Sequence, residues 1–261
     1  QLHELFNHPS TQQLIAIANS PEIIGFPVSE RDIRIREEIN GICNGCAAGK
    51  FVKPSSPPST SSPTAACGEL VHTDLVYFGS AHKRKLTFLL TVDDYSGYIT
   101  LTPLQSKKAD VVAKGLVEVV NRYKTLTHPI KMIRSDAEVV YRSIHQKLNE
   151  HGVRMQYSAP GVHEKRAEVT VRHVRGRFES VRSTLKFTLP ASWYSYLICD
   201  IVTTMNFVPN TSTAHQTPYY LMLGEKIDVK RTLKFKFGDV VVVNSEIDRA
   251  DVSSNGVIGI V

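Results

Sequence analysis

No stretch of this sequence stays apolar for long. The longest unbroken runs, Leu14 to Ala18 and Tyr219 to Leu223, fall far short of the roughly 20 residues a membrane-crossing helix needs. No segment has the basic, apolar and small-residue order of a secretory signal. These absences lead to the expectation of a soluble, intracellular chain with no membrane partner. Cysteine is scarce: Cys43, Cys46, Cys67 and Cys199 are the whole complement of 261 residues, too few for a disulfide scaffold. No internal repeat interrupts the chain. Charge of one sign is also lacking: 31 Lys and Arg against 25 Asp and Glu leave a net +6 and a pI of about 9.1. A moderately basic balance suits a polyanion such as nucleic acid, but many proteins without such a partner share it, so it weighs little.

What is present divides into four segments. Hydrophobic residues make up 42% of the chain, enough to bury a sizeable core. Residues 1–50 read as a small helical head ending in CNGC and GK. Residues 51–67, FVKPSSPPSTSSPTAAC, are too rich in Pro, Ser and Thr to pack and read as a linker. Residues 68–225 read as an α/β core, and 226–261 as the start of a strand-rich C-terminal segment. The chain opens in a helix-like phrase and stops in a strand-like one, which suggests a piece of a longer polyprotein.

In the core, GELVHTDLVYF reads as a strand, and KLTFLLTVDDYSGYITLTPL as two strands joined at Asp94–Gly97. Val112, Leu116, Val119 and Tyr123 mark one face of a helix. PIKMIRSD is a short strand, Ile144 and Leu148 mark a second helix, and VRMQYSAP is another strand. Ala167, Val171, Val174, Phe178, Val181 and Leu185 form a buried stripe on a long helix, and 191–208 form a further apolar helix. Three meander strands, helix, strand, helix, strand and helices is the ribonuclease H-like order: a mixed sheet with helices on both faces, here preceded by a small helical metal-binding domain.

Two groups of residues carry chemistry. His3 and His8, spaced His-x4-His, and Cys43 and Cys46, spaced CxxC, stand at opposite ends of the head. Two such pairs close a tetrahedral nitrogen–sulfur site, and Zn²⁺ would supply stability that so short a module lacks. Cys67 reads as a linker thiol and Cys199 as a small buried hydrophobe. The second group is acidic. Two-metal phosphoryl transfer needs carboxylates converging from strand ends and a helix. Asp74 interrupts an otherwise apolar strand, Asp136 ends the fourth strand, and Glu168 opens the long helix. The segment between the last two has room for a helix, a strand and a return. Glu138 and Glu164 are rivals, whereas Asp93 and Asp94 are explained as turn formers.

Arg172 and Arg175 lie on the face of Glu168, and with Lys165 they form a candidate DNA-gripping surface. Arg166, Arg177, Arg182 and Lys186 add positive charge nearby. The bland reading is a solvated helix face with pairs such as Arg175–Glu179. Lys83, Arg84 and Lys85 form a short basic run on a turn.

The succession HTDLV, VDDYSGY, IRSD and a Glu-bearing helix, after His-x4-His, CxxC and GK, resembles the copia-type retrotransposon integrases. LPASWYSYL, NFVPN and TPYYLMLGEK resemble that family's extension, so the likeness covers nearly the whole chain. The resemblance implies that Asp74, Asp136 and Glu168 bind Mg²⁺ or Mn²⁺. It also implies 3′-end processing of element cDNA and its joining to double-stranded target DNA by a homo-oligomer, in the nucleus and a cytoplasmic particle. The chain departs from the pattern in three places. SDAEVV stands where many relatives carry a glycine phrase, Val169 follows the Glu where Arg is usual, and the Asp-to-Glu spacing is short. Two alternatives therefore stay open: a catalytically inactive integrase-derived nucleic-acid-binding remnant, and a ribonuclease H-like nuclease, which would not need the metal-binding head.

Overall fold

The computed structural model describes residues 2–41, 43–49, 64–79, 86–136, 139–158, 165–210, 213, 215–244 and 256–260. At its centre is a sheet in the order β4-β3-β2-β5-β6. The first three strands in sequence, β2 (Val71–Phe78), β3 (Leu86–Asp93) and β4 (Ile99–Leu104), form an antiparallel meander. β5 (Met132–Ser135) joins β2 in parallel, and β6 (Arg154–Tyr157) joins β5 in parallel. The parallel joints need crossovers, supplied by α5 (Ala109–Thr125) and α6 (Val139–Glu150).

Both faces are covered, which is why the central strands read as apolar runs. One face sets Val71, Leu75, Leu89 and Ile133 against Val112, Leu116, Val119 and Tyr123 of α5 and Ile144 and Leu148 of α6. The other sets Val76, Phe78, Phe88, Leu90 and Val92 against α7 (Lys165–Thr184) and α8 (Tyr194–Met205). Ala167, Val171, Val174, Phe178 and Val181 are the buried stripe of α7, as its periodicity implies. The three valines and Phe178 each contribute roughly 1.5–3 kcal/mol by leaving water, Ala167 less. The fold is the ribonuclease H-like mixed sheet.

The head is helical: α1 (Leu2–Leu5), α2 (Thr11–Ala18), α3 (Glu30–Asn40) and α4 (Asn44–Gly49). Ser10 with Gln13 and Ser29 with Asp32 form capping boxes that fix where α2 and α3 begin. The head does not keep its apolar cluster to itself. Phe6, Leu14, Ile15, Ile17, Ile23 and Ile33 pack with Phe207, Val208, Ile227 and Val229 from far along the chain. β1 (Ile23–Ile24) pairs in parallel with β7 (Ile227–Asp228). The buried Glu22 carboxylate accepts hydrogen bonds from the backbone and hydroxyl of Thr217 at 2.6 and 2.7 Å. The burial that a fifty-residue module lacks thus comes from the C-terminal region. Residues 226–261 have strands, β8 (Val240–Asn244) against β9 (Gly256–Ile260), but also α10 (Val229–Thr232), which the pattern did not announce; α9 (Pro218–Leu223) lies just before them.

Several expectations meet the structure here. Of the linker, residues 51–63 lie outside the described residues, as do Lys83, Arg84, Lys85, Glu138 and Glu164. Thr64 and Cys67 are fastened to the core: Thr64 Oγ1 donates to Asp94 Oδ2 at 3.0 Å, and Cys67 packs against the α5 cluster. Cys67 is therefore not a loose linker thiol, and burial pushes it up to about 11. Cys199 is corrected in the other direction, being exposed on the outer side of α8. Asp93 and Asp94 do build the turn, and more. Asp93 is wholly buried and accepts from Gly68 N, Ser96 N and Ser96 Oγ at 2.7, 2.8 and 2.7 Å. Asp94 contacts the buried His72 imidazole at 3.0 Å, a hydrogen bond that holds its carboxyl below the ordinary range.

Candidate functional site

α1, the turn after it and α4 bring the four head ligands to one point. Among the described residues, His3, His8, Cys43 and Cys46 are the set of His, Cys, Asp and Glu side chains gathered as a metal would need, with ligand atoms within 4.8 Å of one another. His3 Nε2 lies 3.1 Å from Cys46 Sγ, while His8 Nδ1 lies 3.5 Å from Cys43 Sγ and 3.8 Å from Cys46 Sγ. Ligands at zinc bond lengths in a tetrahedron stand about 3.3–3.8 Å apart. The spacing and the two-nitrogen, two-sulfur donor set fit an N-terminal zinc site. A cavity of about 500 Å³ opens beside it, with His3, Cys43 and Cys46 in its wall.

The carboxylates lie on the sheet. Strand alternation puts Asp74 on the face of Val76 and Phe78, the face that α7 covers. The parallel register pairs Val71 with Ile133 and His72 with Arg134; Asp74 lies two residues further along β2, and Asp136 directly follows the last residue of β5. Asp74 is half-buried, and its Oδ1 accepts from Leu75 N at 2.7 Å. Glu168 sits in the first turn of α7, exposed, with Oε1 3.6 Å from Arg172 Nη2. The structure thus puts Asp74 on one strand and Asp136 just past the end of the adjacent parallel strand. It does not draw the three acids into a set as tight as the head's tetrad.

The basic residues of α7 divide. Lys165, Arg172 and Arg175 are exposed. Arg175 Nη2 donates to Tyr77 O at 3.3 Å, and Glu179 pairs with Arg182 instead of Arg175. Arg166 is half-buried and donates to Asp94 O at 3.1 Å. Arg177 is a correction: it is not part of the charged face but 4% exposed inside the fold. Its Nη1 donates to Phe6 O at 3.1 Å and its Nη2 to Gln13 Oε1 at 3.2 Å. Burial lowers it to about 10 against the opposing pull of Cys46. Its spacing from Val174 and Val181 on the inner stripe was the signal that it faces inward. Asn7 carried no such signal.

Residues 65–163 match the family model described as the integrase core domain. No curated protein matches the chain. Among solved structures, it resembles a chain of the simian T-cell lymphotropic virus intasome in complex with PP2A regulatory subunit B56 gamma, at 12% identity and a TM-score of 0.59 over 98% of this chain and 85% of that one. The catalytic core of HTLV-2 integrase in complex with magnesium aligns at 11% identity and a TM-score of 0.48, over 60% of this chain and 97% of that one. The BIV integrase core aligns at 15% and 0.43, over 60% and 95%. The family match supports an integrase core in residues 65–163, and the first structural likeness supports the fold.

Proposed function

We propose that this chain is an integrase that joins DNA ends by metal-dependent polynucleotidyl transfer. One observation carries the reading. The segment that matches an integrase core carries Asp74 on β2 and Asp136 directly after its parallel neighbour β5, and the helix of Glu168 packs on the sheet face of Val76 and Phe78. Asp74, Asp136 and Glu168 would hold Mg²⁺ or Mn²⁺, hard cations suited to carboxylate oxygens. Such ions supply activation of the attacking hydroxyl and stabilisation of the leaving oxygen. Lys165, Arg172 and Arg175, exposed on the same helix, grip the phosphates of double-stranded DNA and orient the scissile bond. The zinc head and the order of HTDLV, VDDYSGY and IRSD support the finer assignment to copia-type retrotransposon integrases. That assignment brings 3′-end processing and insertion of element cDNA in the nucleus by a homo-oligomer.

The test is a joining assay on short duplexes with Mg²⁺ or Mn²⁺, run beside Asp74→Asn, Asp136→Asn and Glu168→Gln. Joining by the wild type and loss in each variant supports the reading. The Arg172 contact to Glu168 and the Val169 that follows it favour one second reading, an inactive nucleic-acid-binding remnant. Duplex binding without joining, by protein shown to assemble into multimers, would establish that reading instead.

A further inference from the structure

His8 sits in an unusual turn. Asn7 and His8 both have positive φ, 53° and 57°, a left-handed conformation that costs a non-glycine residue free energy unless its surroundings enforce it. Both are 1% exposed. The enforcing groups come from the core. On one side, Asn7 Nδ2 donates to Asp200 Oδ2 at 2.8 Å and to Thr204 Oγ1 at 3.0 Å, both on α8. On the other, Arg177 of α7 donates to the carbonyl of Phe6, the residue before the turn. A buried guanidinium is costly unless well hydrogen-bonded, and the partners that bind it, Phe6 and Gln13, both belong to the head.

The cysteine side is held by the same helix. α4, which carries Cys46, lies directly on α7. A Cβ at Gly45 would come within 2.7 Å of Ser180 O, and one at Gly49 within 2.5 Å of Gly176 O. The contact therefore admits glycine alone at both places. The helix that bears Glu168 thus touches the segments on both sides of the tetrad: the turn that carries His8 and the helix that carries Cys46.

We propose that Asn7 and Arg177 are positioning residues of the zinc site, and that through them zinc binding and the packing of α7 form one equilibrium. Neither residue ligates the metal. Asn7 fixes the turn that aims His8, and Arg177 ties that turn to the helix on which Cys46 rests. Because coupling is reciprocal, whatever loosens this clamp weakens zinc, and whatever removes zinc loosens α7. The proposal rests on the tetrad being a zinc site and not on strand transfer.

The full chain is tested as Asn7→Gly, Arg177→Met and Arg177→Lys. Asn7→Gly keeps the left-handed turn accessible and deletes only the side-chain clamp. Zinc affinity is read by competition with a chromophoric chelator, and site geometry by the visible spectrum of the cobalt-substituted protein. Asn7→Gly and Arg177→Met should weaken zinc by about 10- to 100-fold and distort the tetrahedral spectrum, with Arg177→Lys between them and wild type. In the wild type, zinc should slow amide exchange around Gly176–Ser180, and Asn7→Gly should shrink that gain. Wild-type affinity and spectrum in Asn7→Gly overturn the proposal, even if Arg177→Met fails to fold. A wild type that takes up no zinc defeats the zinc reading and this inference with it. Tight zinc binding that none of the three variants alters defeats the inference alone.

Discussion

The chain carries two groups of chemically active side chains, and they differ in how closely they assemble. In the head, two imidazoles and two thiols stand within 4.8 Å of one another. On the sheet, Asp74 lies on β2 and Asp136 just past the end of its parallel neighbour β5, while Glu168 points outward toward Arg172. Charge explains the difference. Neutral imidazole and thiol groups can be packed together without repulsion, so the fold itself can preassemble them. Two carboxylates 4 Å apart repel by about 4 kcal/mol at an effective dielectric near 20, and a third multiplies the cost. A fold can set acids on neighbouring elements, but their final approach is linked to whatever neutralises them.

Removing one member from each group sharpens this contrast. Cys46→Ser should abolish stoichiometric zinc and release the head, because the site's binding free energy is part of the head's folding free energy. The sheet should persist, as read by amide exchange in β2 and β3. Loss of both together would show that head and sheet fold as one unit. Asp74→Asn should behave oppositely: under the proposed function it lowers end joining by more than about 100-fold, since a direct ligand would matter more than an outer-shell partner. Its melting temperature without divalent cations should stay level or rise. A drop of several degrees would mean that Asp74 is a structural residue.

Smaller effects are expected at the edges of both groups. Replacing Arg172 and Arg175 together by Ala should reduce the slope of log K against log salt for duplex binding by about 1.8, at roughly 0.9 per phosphate contact. An unchanged slope returns these arginines to the solvated face. At the turn behind the carboxylates, Asp94→Asn should cost about 1–3 kcal/mol, because a buried His72 loses a charged acceptor. The His72 hydrogen bond lowers the Asp94 carboxyl, so its stabilisation is present above the ordinary carboxylate range and is lost as pH falls through the lowered value. The stability gap between wild type and Asp94→Asn should therefore narrow in acid, as denaturant titrations at several pH values would show.

Much of this was legible in the sequence because it is local. The α7 stripe from Ala167 to Val181 repeats at helical spacing, and the apolar content of β2 and β3 announces a sheet covered on both faces. The paired spacing of His3, His8, Cys43 and Cys46 named the tetrad before any coordinate. What stayed hidden depends on partners far away in the chain. The spacing of Arg177 on the inner stripe could show that it faces inward but not what it meets, because its acceptors lie in the head, and Asn7 looked like any turn residue because Asp200 and Thr204 hold it. The sharing of the head's cluster with Phe207, Val208, Ile227 and Val229 was invisible for the same reason, since periodicity reports that a face is buried but not against what.

The parallel pair of β1 with β7 has a consequence for the order of events as the chain is made. Ile23 meets Ile227, so the pairing closes residues 23–227 into one loop. Closing a flexible loop of about 200 residues costs on the order of 5 kcal/mol of chain entropy before any contact repays it. The sheet, whose meander strands are near neighbours in sequence, can form while later residues are still being synthesised. Within this chain the head precedes its partners, so Ile17 and Ile23 should stay uncovered until Phe207 and Ile227 arrive. Its His-x4-His and CxxC pairs are complete long before then, so a zinc ion would be the first partner able to hold the nascent head closed.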